Sequence, residues 1–124
     1  MINAFFAVGV GAACGAWLRW GLALLLNQGL IPMGTLLANL LGAYLMGLAL
    51  AAFMIVPSIS QDMKLLITTG FLGGLTTFST FSAEAFTLLQ RQEYGWMMLH
   101  ILSHVIGSLL MIVLGYYTVQ LLKS

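Results

Sequence analysis

Charge is what this sequence has least of. Four Lys or Arg and three Asp or Glu make up 6% of its 124 residues, against about 25% in a soluble domain, so a water-facing exterior is excluded. A net charge of +1 with no basic cluster argues against nucleic acid, whose phosphates call for many cations, and against a polybasic surface for anionic lipid. The single cysteine excludes an internal disulfide; Cys14 lies in an apolar, small-residue stretch and reads as a small buried thiol. The strict polar–apolar alternation of a membrane barrel is missing as well.

What is present is apolar length. Hydrophobic residues form 61% of the chain, and a helix needs about 20 of them to cross the hydrocarbon core. Four such segments read as transmembrane helices over about 2–26, 35–56, 65–90 and 95–122. The intervening turns are marked by Asn27, Gly29 and Pro32, then by Pro57, then by Arg91 and Glu93. Residues 1–124 therefore form one all-α transmembrane domain with both termini on one side. The first segment reads as a retained helix rather than a signal peptide, because it has no basic start and Arg19 comes late.

Basic residues near helix ends orient membrane proteins, and here they balance. Lys64 and Lys123 fall on the terminal face, Arg91 and Arg19 toward the other. Either orientation is permitted, so two copies can pair antiparallel. Small residues recur at four-residue spacing, Gly11 and Gly15 in the first helix and Ala38, Gly42, Ala43, Gly47 and Ala51 in the second, which is the pattern of close helix packing in lipid.

The third segment is wrong for a plain helix. Near its middle it reads Gly73-Gly74-Leu75-Thr76-Thr77-Phe78-Ser79-Thr80-Phe81-Ser82. Each glycine weakens a helix by about 1 kcal/mol relative to alanine, and the hydroxyls that follow compete for backbone groups. A helix break in mid-membrane is expected, and freed backbone there must be buried in protein or line a polar cavity. Its carbonyls suit a monovalent cation such as sodium better than a divalent ion, since no carboxylate adjoins them. A glycine-rich kink without an ion accounts for the same residues.

Other polar residues lie within the spans. Asn39 on helix two, and His100, His104 and Ser108 spaced by four on helix four, either hydrogen-bond between helices or form a polar track. Phe78 and Phe81 share a face and serve as packing or as ring edges of positive potential for an anion. The histidine spacing also fits a metal pair, but no acid on that helix completes a site. Arg19 and Glu84 are the charged residues inside spans, and Arg19 is a candidate source of positive potential at an anion entrance.

With Asn39, Arg19 and the Gly73–Phe81 stretch in these positions, the chain resembles the Fluc (CrcB) family of prokaryotic fluoride channels over its whole length. The resemblance implies a dual-topology antiparallel homodimer in the prokaryotic inner membrane. Through two pores it would export cytoplasmic fluoride passively and so confer fluoride resistance. It implies a structural sodium ion at the dimer centre, held by main-chain carbonyls of Gly73 and Thr76. It further implies a fluoride path lined by Asn39, Phe78 and Phe81, with His104 and Ser108 from helix four and Ser79, Thr80 and Ser82 from helix three. It implies no enzymatic activity and no nucleic acid partner. Two other readings compete: a small multidrug-type exporter coupled to protons, which would want an acid on helix one where this chain has Arg19, and a membrane scaffold subunit that transports nothing.

Overall fold

The computed structural model describes residues 2–123 and is entirely helical apart from its turns. Its elements are α1 (Ile2–Leu26), α2 (Met33–Ile55), α3 (Gln61–Leu65), a π-helical stretch (Leu66–Leu72), α4 (Gly73–Leu75), α5 (Phe78–Gln90) and α6 (Tyr94–Lys123). The segments from Gln61 to Gln90 form one span, so among the described residues four helical runs are long and apolar enough to cross a membrane.

Local chemistry sets the ends of these runs. Asn27, just past α1, turns its side chain onto the start of α2: Oδ1 accepts from the amides of Gly34 at 2.6 Å and Thr35 at 3.1 Å. Two orphan donors are thereby satisfied by a residue outside the helix they open. Pro57 lies two residues beyond Ile55, where it cannot continue α2. The third span begins at Gln61, ahead of the expected residue 65, because Ser60 caps it by accepting from the Met63 amide at 3.1 Å. After α5 the chain reverses through Gln92 at φ 58°. The Glu93 amide reaches Leu88 O at 2.9 Å and the Gln92 amide reaches Leu89 O at 3.0 Å, a Schellman turn built without glycine.

Packing runs through backbone approach more than through large side chains. A Cβ on Gly11 would strike the Leu66 carbonyl and one on Gly15 the Phe71 carbonyl, while one on Gly74 would strike the carbonyl of Ala12. Helix α1 is thus seated directly on the π-helical stretch. On the opposite flank Gly47 and Gly115 play the same part between α2 and α6, facing the carbonyls of Ile112 and Tyr44. The small core is Ala38, Leu72 and Leu75, with Leu22, Leu45, Met46, Ile67 and Phe71 packed around it. Long apolar side chains such as Phe5, Trp17, Leu109 and Leu121 point outward, as they do where the solvent is lipid. Cys14, expected to be buried, is exposed: the backbone contacts of α1 fall on Gly11 and Gly15, and Cys14 stands off that face.

Helical geometry stops in the middle of the third span. Gly73, despite its low propensity, keeps helical angles (φ −63°, ψ −38°). The extended residues are Thr76 (φ −87°, ψ 153°) and Thr77 (φ −148°, ψ 122°).

Candidate functional site

Two polar side chains divert the hydrogen bonds that would have carried the helix through Thr76 and Thr77. In a continuous helix the Thr77 amide would bond Gly73 O; here it donates to Asn39 Oδ1 at 2.8 Å. The Thr80 amide would bond Thr76 O; here it donates to the Thr77 hydroxyl at 3.1 Å, which caps α5. Asn39 Nδ2 completes its grip by donating to Thr77 O at 3.1 Å. Gly73 O and Thr76 O therefore lose their i+4 donors. The next carbonyl, Gly74 O, has a replacement, since it accepts from Arg19 Nε of α1 at 3.1 Å. The Thr76 hydroxyl is also committed, donating to Leu72 O at 2.8 Å, so the group that Thr76 leaves available is its main-chain oxygen.

The interruption opens on a groove of about 440 Å³ whose lining includes Asn39, Gly73, Thr76, Phe78, Phe81, His104 and Ser108. Seven residues singled out from the sequence, spread over three spans, thus face one space. Phe81 is buried and Phe78 is 79% exposed, with ring centroids 5.7 Å apart and planes inclined by 58°. Ser79, Thr80 and Ser82 are not part of this lining. Ser79 is exposed, its hydroxyl 3.4 Å from that of Thr77, and Thr80 takes part through its backbone amide. Arg19 sits on the α1 side of the interruption.

His104 joins the groove to a second polar cluster. Because Asn39 Oδ1 accepts from the Thr77 amide, the other end of that side chain is the donor, and it lies 2.9 Å from His104 Nδ1. Nδ1 must then accept, which leaves the proton on Nε2. One turn away on α6, His100 is fully buried; its Nε2 is 3.4 Å from Phe81 O and 3.5 Å from Glu84 Oε1. Glu84 Oε2 accepts from the Thr35 hydroxyl at 2.7 Å, and that hydroxyl accepts from Asn27 Nδ2 at 3.0 Å. A chain of polar side chains therefore runs from the α1–α2 turn to the interruption. Phe81 lies against both imidazoles, 5.1 Å from His100 and 4.5 Å from His104 between ring centroids.

Sequence reasoning placed Thr77 in the interruption without assigning it the cap of α5, and it missed Thr35 and Asn27 as members of this arrangement. Thr77 carried a usable signal, a hydroxyl residue immediately before a helical run, which is the mark of an N-cap. Thr35 and Asn27 carried none, because each is defined by a partner from another element.

Residues 6–116 match the family described as CrcB-like protein, Camphor Resistance (CrcB). Among curated relatives, a protein of Aromatoleum aromaticum named fluoride-specific ion channel FluC is 64% identical over 117 residues, covering 93% of this chain and 89% of the relative. Proteins of the same name from Cupriavidus pinatubonensis and Pseudomonas putida are 57% and 52% identical, covering 95% of this chain and 95% and 94% of the relatives. With four candidate membrane spans, the chain is a multi-pass protein of the bacterial inner membrane. A family match across almost all of its length, and relatives more than half identical to it over the same span, make this chain a member of the CrcB family.

Proposed function

We propose that this protein is a fluoride-selective channel that lets cytoplasmic fluoride leave the cell passively. The observation that carries the reading is the diverted backbone at Thr76 and Thr77, held by Asn39 beside a groove lined by Phe78, Phe81, His104 and Ser108. The relatives named as fluoride channels supply the ion.

Fluoride is small and strongly hydrated, so a path through lipid must replace its water with several donors while holding it weakly enough to let go. The hydroxyl of Ser108 in the groove lining is an uncharged donor of that kind, and the edges of Phe78 and Phe81 carry weak positive potential. Asn39, whose own protons are taken up by Thr77 O and His104 Nδ1, shapes the path rather than donating into it. A fixed cation at the same place would trap the anion. Movement needs no fuel: an interior-negative potential drives a monovalent anion outward by about 2.3 kcal/mol per 100 mV.

The functional unit is an antiparallel homodimer with two pores, one along each groove. Support comes from Gly73 and Phe78, both exposed on the single chain at the depth of the interruption. Carbonyls freed at that depth do not face lipid, so a second copy covers them. The oxygens of Gly73 and Thr76 fit a sodium ion at that contact: both have lost their helical donors, both are neutral, and no carboxylate lies next to them in sequence. Bound there, sodium would supply a positive charge that pins the carbonyls of two interrupted spans together. Arg19, beside Gly74 O, adds positive potential near the interruption and favours an anion at that end of the groove.

The test is fluoride efflux from liposomes holding the purified protein, read with a fluoride electrode beside a chloride control, with valinomycin clamping the potential. Rapid loss of fluoride with chloride retained is the expected result. Well-folded protein that releases neither ion overturns the reading.

A further inference from the structure

We propose that Glu84, His100 and His104 form a binding site for a borderline divalent transition metal of the zinc type, and that filling it stops fluoride passage by undoing the grip of Asn39 on Thr77. The second half of this proposal rests on the channel reading; the first does not.

The ligand set is assembled across two helices. One ligand atom from each of the three residues lies within 4.8 Å of the other two. Among the described residues Glu84 Oε1 and His104 Nε2 are buried without a hydrogen-bond partner, as is the Nδ1 of His100, an expensive state for polar atoms. His100 Nε2 stands 3.5 Å from Glu84 Oε1, close to the separation of about 3.3 Å expected between two ligands of one tetrahedral zinc. Without metal it donates to Phe81 O at 3.4 Å, and on binding its proton passes to Nδ1 of the same ring. The atoms that face away are already engaged as supporting partners should be: Glu84 Oε2 with the Thr35 hydroxyl and His104 Nδ1 with Asn39. Two imidazoles and a carboxylate suit zinc, cobalt or copper and are poor for magnesium or calcium. A fourth position stays open for water or for fluoride itself. Glu84, whose side chain keeps 15% exposure while that of His100 keeps none, offers the way in.

Binding has a consequence for the groove. A metal on His104 Nε2 takes the lone pair there, so the one proton of the neutral ring moves from Nε2 to Nδ1. Nδ1 then donates, and it faces Asn39 Nδ2, which also donates. Asn39 must turn its oxygen toward His104 and release the Thr77 amide that it now holds. The filled site and the present conformation of the interruption therefore exclude each other.

The experiment is a titration of the full-length protein in detergent with Co²⁺, read by visible absorption, alongside fluoride efflux from liposomes at increasing Zn²⁺. Expected are one tetrahedral Co²⁺ per chain, displaced by Zn²⁺ and not by Mg²⁺, and efflux that falls as Zn²⁺ rises. His100→Gln and Glu84→Gln should each weaken Co²⁺ binding at least tenfold, and whichever of them conducts should need at least tenfold more Zn²⁺ for half inhibition. A Co²⁺ spectrum absent from the native protein, or unchanged in both variants, overturns the site. Metal bound with efflux undiminished overturns the coupling to Asn39. Native protein that carries no fluoride in metal-free buffer overturns the channel reading and the inhibition with it, while the cobalt titration still decides the site.

Discussion

Asn39 holds the peptide group of Thr77 from both sides, accepting from its amide at 2.8 Å and donating to its carbonyl at 3.1 Å. A side-chain amide here does what a neighbouring strand does in a sheet, so Thr77 stays extended in the middle of a membrane span with its own amide and carbonyl both satisfied. Asn39→Leu should remove all three of its hydrogen bonds and leave the Thr77 peptide unpaired, a cost of about 1–3 kcal/mol per buried group. Lower thermal stability in detergent and fluoride efflux reduced at least tenfold are the expected readings; native efflux from Asn39→Leu would remove the clamp from the mechanism.

The two phenylalanines should separate structure from transport. Phe78 is 79% exposed on the single chain and Phe81 only 7%, so Phe78→Ile should cost the chain's own packing almost nothing while Phe81→Ile loses about 1 kcal/mol or more from imperfect repacking. Both should conduct fluoride poorly, because an aliphatic side chain offers no positive ring edge. Efflux unchanged in both variants would take the aromatic pair out of the path.

Thr76 should tolerate changes to its side chain better than changes to its backbone. Thr76→Ser keeps the hydroxyl that bonds Leu72 O, whereas Thr76→Pro deletes the amide that bonds the same carbonyl at 3.0 Å and disfavours helical angles at Leu75. Fluoride efflux and dimer recovery, compared between sodium and N-methylglucamine buffers, should remain sodium-dependent in the serine variant and collapse in the proline variant. Equal loss in both would contradict a carbonyl ligand.

Close packing of α1 gives a paired control. Gly15→Ala places a Cβ against the Phe71 carbonyl, while Gly9→Ala meets nothing within 4 Å. The first should lose about 1–3 kcal/mol and the second almost nothing, measured as melting temperature and as the monodisperse fraction on gel filtration.

The four spans were legible because length and hydropathy alone decide them, and seven of the chosen site residues do meet in one groove. Intrinsic propensity pointed to Gly73 and Gly74, yet Gly73 keeps helical angles and the interruption falls at the two threonines that follow. Low propensity weakens a helix only in competition with something else, and at Thr77 the competitor is an amide 38 residues away, which no periodicity records. The same holds for Glu84: an acid inside a span was visible, but its hydroxyl partner Thr35 is 49 residues distant. Cys14 was misplaced because small residues mark a contact helix without saying which of its faces makes the contact.

The π-helical stretch over Leu66–Leu72 fixes the angular phase of everything after it. A turn closed by i→i+5 bonds holds about one residue more than an α turn, and each residue of a helix advances about 100° around its axis. Drawn as plain α-helix, the same sequence would swing Gly73 and Thr76 a quarter-turn or more around the span, away from the direction they now share. The widened turn behaves like an inserted residue absorbed in place, so a one-residue deletion that returns the stretch to α-helix would leave the oxygens on which the proposed ion site depends pointing as they do now, whereas an insertion there would re-aim them.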